Sequence, residues 1–197
     1  MPYFKKLAGQ KCYLSPCQAT DAEKWVEWFN NPEISLPLGD EVYLPYSLEK
    51  AREDLAGIIR DQSYIFTIVA LENDFPIGRG LLFAIDPIDR RAMLGMAIGE
   101  KSYWGQGYGT EATRLLVDYG FNLLNLNSIM LGVFAFNARA IACYKKVGFK
   151  EIGRRRQARI IAGQKYDVLL MDILAEEFQG SCVGGMLAAA TSADQGK

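Results

Sequence analysis

Three glycines in five residues, Gly105, Gly107 and Gly109, stand where the chain changes character. The run before them, RAMLGMAIG (91–99), reads as a strand. The run after them, 107–124, carries apolar or small residues at 112, 115, 116, 119, 120 and 123, the spacing of an amphipathic helix. A glycine turn between strand and helix leaves backbone N–H groups uncovered beside the positive end of the helix dipole. That arrangement suits a pyrophosphate, and it also serves simply as a turn. Thr110 stands where a dinucleotide fingerprint needs its third glycine, and no GK[ST] follows as a Walker loop requires.

The rest of the chain supplies elements around this junction. Residues 11–18 read as a short strand cut by Pro16, with Thr20-Asp21 as the cap of a helix running to Asn30. Residues 31–46 hold three prolines and two aromatics, the composition of an ordered loop, and form the expected substrate-side loop. Ser47 opens a second helix. The runs 64–72, 76–86 and 91–99 form an expected antiparallel meander. After the helix at 107–124 come a strand at 128–136, a helix opened by Asn137, and two strands, 148–161 and 164–174, joined through Ala162-Gly163. Residues 1–178 are expected to form one domain, and the weakly patterned 179–197 a disordered tail outside the fold.

Composition narrows the chemistry. The 197 residues contain no histidine, which removes Ser-His-Asp and Cys-His relays and any His-ligated metal, so no metal is expected. A net charge of −1 gives no basic field for nucleic acid. The four cysteines are scattered without a CxxC pair and read as reduced thiols. With no signal-peptide pattern and no run of 18 apolar residues, a cytoplasmic protein without membrane attachment is expected.

A second motif, NARAIACYKKVGF, begins about 30 residues beyond the glycine turn. Asn137 is placed to cap its helix, and Tyr144, two turns on, lies along the same side. Alone these are a cap and a core aromatic. Paired with YWGQGYGTEA, they make residues 11–178 resemble the GNAT superfamily of acetyl-CoA-dependent acetyltransferases, and within it the RimJ/RimL type and its spermidine-acetylating relatives. The resemblance implies an α+β fold: a mixed, mostly antiparallel central sheet with helices on both faces, whose fourth and fifth strands splay around acetyl-CoA.

The resemblance also implies roles. The backbone of Met96, Ala97 and Ile98 would bond the pantetheine arm and acetyl carbonyl. Gln106, Gly107, Tyr108, Gly109 and Thr110 would offer N–H groups to the pyrophosphate, in a loop opened by Trp104 and Gly105. Asn137 would contact the pantetheine arm, and Tyr144 would protonate the leaving CoA thiolate. The loop opens on Trp104 where the superfamily has Arg or Gln. Where relatives carry a glutamate as general base, this chain has Met93.

The missing base bears on the acceptor. At pH 7 only about one Lys-like amine in 2,500 is neutral, and an α-amine near pKa 7.8 is several hundredfold better off. An N-terminal α-amine is therefore the favoured acceptor, with a polyamine or aminoglycoside as alternatives and a non-catalytic acyl-CoA-binding module as the reading from another class. Glu33, Asp40 and Glu41 in the proline-rich loop would suit a cationic group, and Glu33, Glu41 and Glu100 are candidates for a base relayed through water. Glu111 is expected to serve the helix dipole, Cys143 to be inert packing, and the 154–159 arginines either to draw an anionic partner or to solvate an edge strand. A homodimer is compatible with this reading.

Overall fold

The computed structural model describes residues 2–39 and 41–186. Eight strands form one sheet: β1 (Leu7–Ala8), β2 (Cys12–Pro16), β3 (Ile65–Ala70), β4 (Pro76–Asp86), β5 (Arg91–Ile98), β6 (Ser128–Phe134), β7 (Lys150–Ile161) and β8 (Gln164–Leu174). They lie in the order β1-β2-β3-β4-β5-β6-β8-β7. Every neighbouring pair is antiparallel except β5–β6. The expected meander is β3–β4–β5. Strand β1 was not legible in the sequence, because two residues ahead of Gly9 are too few to show an alternation.

Five α-helices lie wholly within the described residues: α1 (Asp21–Phe29), α2 (Pro32–Ser35), α3 (Leu48–Arg60), α4 (Tyr108–Asn122) and α5 (Ala138–Val147). Strand β3 shows how the two faces divide, since Phe66, Ile68 and Ala70 join the core under α4, whereas Ile65 packs with α1 and α3. This is the period-2 alternation of a strand covered on both sides. The second core holds Trp25 and Trp28, 1% and 2% exposed.

Caps fix the helix starts. Ser47 accepts the N–H of Lys50 at 3.1 Å, and Asn137 accepts that of Ala140 at 3.1 Å, both as expected. Thr20 does not cap α1: its own backbone is already helical, with φ −69° and ψ −15°, and its side chain makes no cap bond. Asp21 does the local work instead, accepting from Gln18 N at 2.8 Å and from the hydroxyls of Thr67 and Tyr3, both at 2.5 Å. The β7–β8 hairpin turns through Ala162 and Gly163, whose φ values of 49° and 77° suit a two-residue turn.

One expectation is corrected. The segment 179–186 is not outside the fold: the buried carboxylate of Asp118 on α4 accepts from Ser181 Oγ (2.7 Å), Cys182 N (2.6 Å) and Val183 N (3.2 Å). Val183 is 5% exposed within the main core. The anchor is one buried acid 63 to 65 residues away, which local composition does not reveal. The remainder of the proposed tail, 187–197, lies outside the described residues.

Candidate active site

Strands β5 and β6 pair only at Arg91–Ser128, Ala92–Ile129 and Met93–Met130. Beyond Met93 they separate, and a cleft of about 580 Å³ opens along the gap. With Leu7–Ala8 counted, these are the strands expected from the sequence as the fourth and fifth. The cleft's walls include Met96, Ala97 and Ile98 of β5, Trp104, Gly105, Gly107, Gly109 and Thr110 of the glycine loop, and Asn137 and Tyr144 of α5. Two motifs about 30 residues apart in sequence thus face each other across one space.

The loop needs its glycines. Gly105 and Gly107 have φ of 75° and 91°, a region costly for a side chain, and Gly107 is the N-cap of α4. Trp104 N bonds Lys101 O, and the next N–H with a backbone acceptor among the described residues is that of Glu111. The N–H groups of 105–110 are therefore left for a ligand at the positive end of a 15-residue helix. Neither Gln106 nor Tyr108 is in the cleft lining. The Gln106 amide turns back to Ser102 O, and the Tyr108 ring packs edge-on against Tyr103 at 5.0 Å, outside the cleft lining.

Backbone direction along β5 amends one assignment. The Ala97 carbonyl oxygen points at β4, lying 2.2 Å from where a Cβ on Gly78 would sit, and Gly99 N likewise bonds Ile77 O across that side. Backbone groups alternate along a strand, so Met96 and Ile98 face the gap while Ala97 offers it only its side chain. Of these, the Ile98 carbonyl already accepts Trp104 Nε1–H at 2.7 Å. The Arg139 guanidinium carbon lies 3.6 Å from the centre of the Trp104 ring, joining the loop to α5. Burial pulls the Arg139 guanidinium below its ordinary pKa.

Tyr144 is 7% exposed, with its ring 5.8 Å from that of Phe149. Burial first, and the adjacent Cys143 second, push its phenol well above the usual range, so it holds its proton at neutral pH. Asn137 spends its carbonyl oxygen on the cap of α5. Cys143 packs against the main core as expected and also forms part of the cleft wall, where the Thr110 hydroxyl approaches its sulfur at 3.6 Å.

The acids expected near the acceptor divide. Glu41 lines the cleft, but its carboxylate is bound on both oxygens, by Arg79 Nη2 at 3.2 Å and Gly39 N at 2.9 Å. Glu33 pairs with Lys101 at 2.8 Å on the surface, and Glu100 with Lys24 at 2.8 Å and Trp28 Nε1 at 3.1 Å, both away from the lining. Asp40 lies outside the described residues. Met93 is in the lining, a thioether where the resemblance led one to look for a base. Of the 154–159 arginines none lines the cleft, and Arg154 pairs with Asp167 at 3.4 Å.

The acetyltransferase (GNAT) domain family matches residues 11–150. The chain belongs to that family. This GNAT acetyltransferase is 28% identical over 179 residues to the uncharacterized N-acetyltransferase p20 of Bacillus licheniformis, covering 88% of this chain and 98% of that one. It is 33% identical over 120 residues to the spermidine N(1)-acetyltransferase of Escherichia coli (strain K12), covering 61% and 63% of the two chains. Among solved structures, spermidine N-acetyltransferase from Vibrio cholerae in complex with CoA and spermine superposes with a TM-score of 0.75 at 27% identity, over 84% of this chain and 96% of that one. In this acetyltransferase the cleft also holds charges that the sequence did not single out, among them Arg79, outside both motifs, and Arg139, inside the second. Arg79 left one signal, a lone cation inside the strand run PIGRGLLFAID.

Proposed function

We propose that the chain transfers the acetyl group of acetyl-CoA directly to a primary amine, with a peptide α-amine favoured. The observation that carries the reading is the cleft itself, which runs from a nest of unpaired backbone N–H groups, through the gap between β5 and β6, to a face bearing Leu81, Phe83 and Met93. A nest at a helix N-terminus fits a pyrophosphate, and the gap-facing backbone of Met96 and Ile98 fits an extended arm laid beside a strand. Acetyl-CoA supplies the activated acyl thioester.

The residues of the chain do the rest. The amine nitrogen bonds to the acyl carbon as the carbon–sulfur bond breaks. One amine proton leaves through water, and the sulfur takes the proton of Tyr144, which solvent then restores. Polarisation of the acyl oxygen falls to gap-facing N–H groups of β5. Among the described lining residues Glu41 is the one carboxylate, and it is already spent on Arg79 and Gly39, which favours an amine that is substantially neutral without a strong base.

A thermal-shift titration with acetyl-CoA, followed by CoA release with a panel of amines, tests the reading. Ligand at about 100 times its Kd stabilises the native state by about 2.7 kcal/mol, a readily visible shift. No shift at millimolar acetyl-CoA overturns it. A shift without CoA release for any amine makes the chain a non-catalytic acyl-CoA-binding module.

A further inference from the structure

Arg79 is a charge in the acceptor face that the transfer chemistry does not use. It lies on β4 directly opposite Ala97 of β5, one strand from the gap. Its guanidinium carbon is 4.4 Å from the ring centre of Phe29 and 4.9 Å from that of Trp25, and its side chain is 18% exposed. Nη2 donates to Glu41, whereas Nε is buried with no partner among the described residues. A guanidinium is a planar fork of five donors; Nε is closed to an entering ligand, so an oxygen in the cleft would be met by the Nη donors that Glu41 does not hold.

Resting on the proposal that this cleft accepts a primary amine, we infer that Arg79 reads the carbonyl or carboxylate oxygen next to that amine, so that the acceptor is an α-aminoacyl group. The surroundings agree. A polycation would bring further positive charge against Arg79 and find Glu41 already occupied, with Arg139 and Lys146 also in the lining. An α-amine with an apolar side chain meets Ile34, Leu38, Leu81 and Phe83 instead. The aromatic rings and Glu41 hold the fork in place before the acceptor enters, so that little ordering remains for binding.

The test compares acceptors that share a carbon skeleton: an alanine-initiated tripeptide, free alanine and 2-aminopropane, with spermidine as the polycation, all expressed per neutral amine. The expected kcat/KM for a carbonyl-bearing acceptor exceeds that for 2-aminopropane by about tenfold or more. The tripeptide and alanine arms separate carbonyl from carboxylate. Arg79→Gln is expected to bring the ratio near one, chiefly through KM, with acetyl-CoA affinity retained. Arg79→Lys keeps the charge but loses the fork, and retains part of the ratio. If 2-aminopropane or spermidine matches the tripeptide in the wild-type protein, or if Arg79→Gln keeps the wild-type ratio, the inference is overturned. The wild-type comparison decides even where a variant does not fold. Failure of every amine in the panel overturns the transferase reading instead, and the two failures are thereby distinct.

Discussion

The carboxylate of Glu111, in the first turn of α4, accepts the backbone N–H of Cys12 at 2.7 Å. The same group accepts from Lys11 at 2.6 Å and Gln10 at 2.9 Å, so one side chain gathers three donors of the β1–β2 connection and pins it beside the glycine loop. A Cβ at Gly9 would come within 2.6 Å of Glu111 Cδ, which shows how tightly the connection wraps that acid.

Charge-assisted bonds of this kind are individually strong, and removing the acceptor leaves all three donors to find water. Glu111→Ala is expected to cost about 3 kcal/mol, read as a lower urea midpoint with unchanged slope. A midpoint equal to wild type would mean that solvent replaces the carboxylate without loss.

Tyr144→Phe removes only a hydroxyl from a packed ring. Turnover is expected to fall about 100-fold, the scale of a positioned acid, while the acetyl-CoA Kd changes little. Steady-state kinetics beside a thermal-shift titration separate the two quantities. Wild-type kcat in the variant would remove Tyr144 from the reaction.

The pH profile follows from the direction of the Tyr144 shift. Its raised pKa keeps the phenol protonated through the neutral and mildly alkaline range. A required acid whose pKa is raised is lost only at higher pH, so the rising limb belongs to the acceptor amine. For an α-amine, kcat/KM is expected to climb about tenfold per pH unit below a pKa near 7.8 and then level off. An alkaline decline centred below about pH 10 would point to a different donor.

Gly107→Ala places a side chain at φ 91°, at the N-cap of α4. The strain is expected to cost about 1 to 2 kcal/mol and to turn N–H groups of the loop away from their common focus. Acetyl-CoA affinity should therefore fall by more than in an α4 surface variant of equal stability loss, as titration calorimetry would show.

Asp118→Ala removes the acceptor for Ser181, Cys182 and Val183. The segment 181–186 is expected to release and become the first site of limited proteolysis, while acetyl-CoA binding persists. Protection equal to that of wild type would show that Val183 packing alone suffices.

The sequence by itself determined the alternation of elements, the positions of the glycine turn and the Asn137 cap, and the pairing of two motifs that marks the GNAT fold, because these are written in local rules. Positive φ at Gly105 and Gly107, apolar spacing in 107–124 and capping at Ser47 each depend on a few neighbours in the chain. The tertiary structure alone decided which charges are free. Glu41 and Arg79 lie 38 residues apart, Glu100 and Lys24 76 apart, and Asp118 and Val183 65 apart, so whether each carboxylate finds its partner depends on which strands and helices meet. The same holds for Ala97, whose place in the cofactor motif said nothing of which way its carbonyl turns. That direction is set by pairing with β4, and the gap that makes a site of the motif exists because β5 and β6 part after Met93.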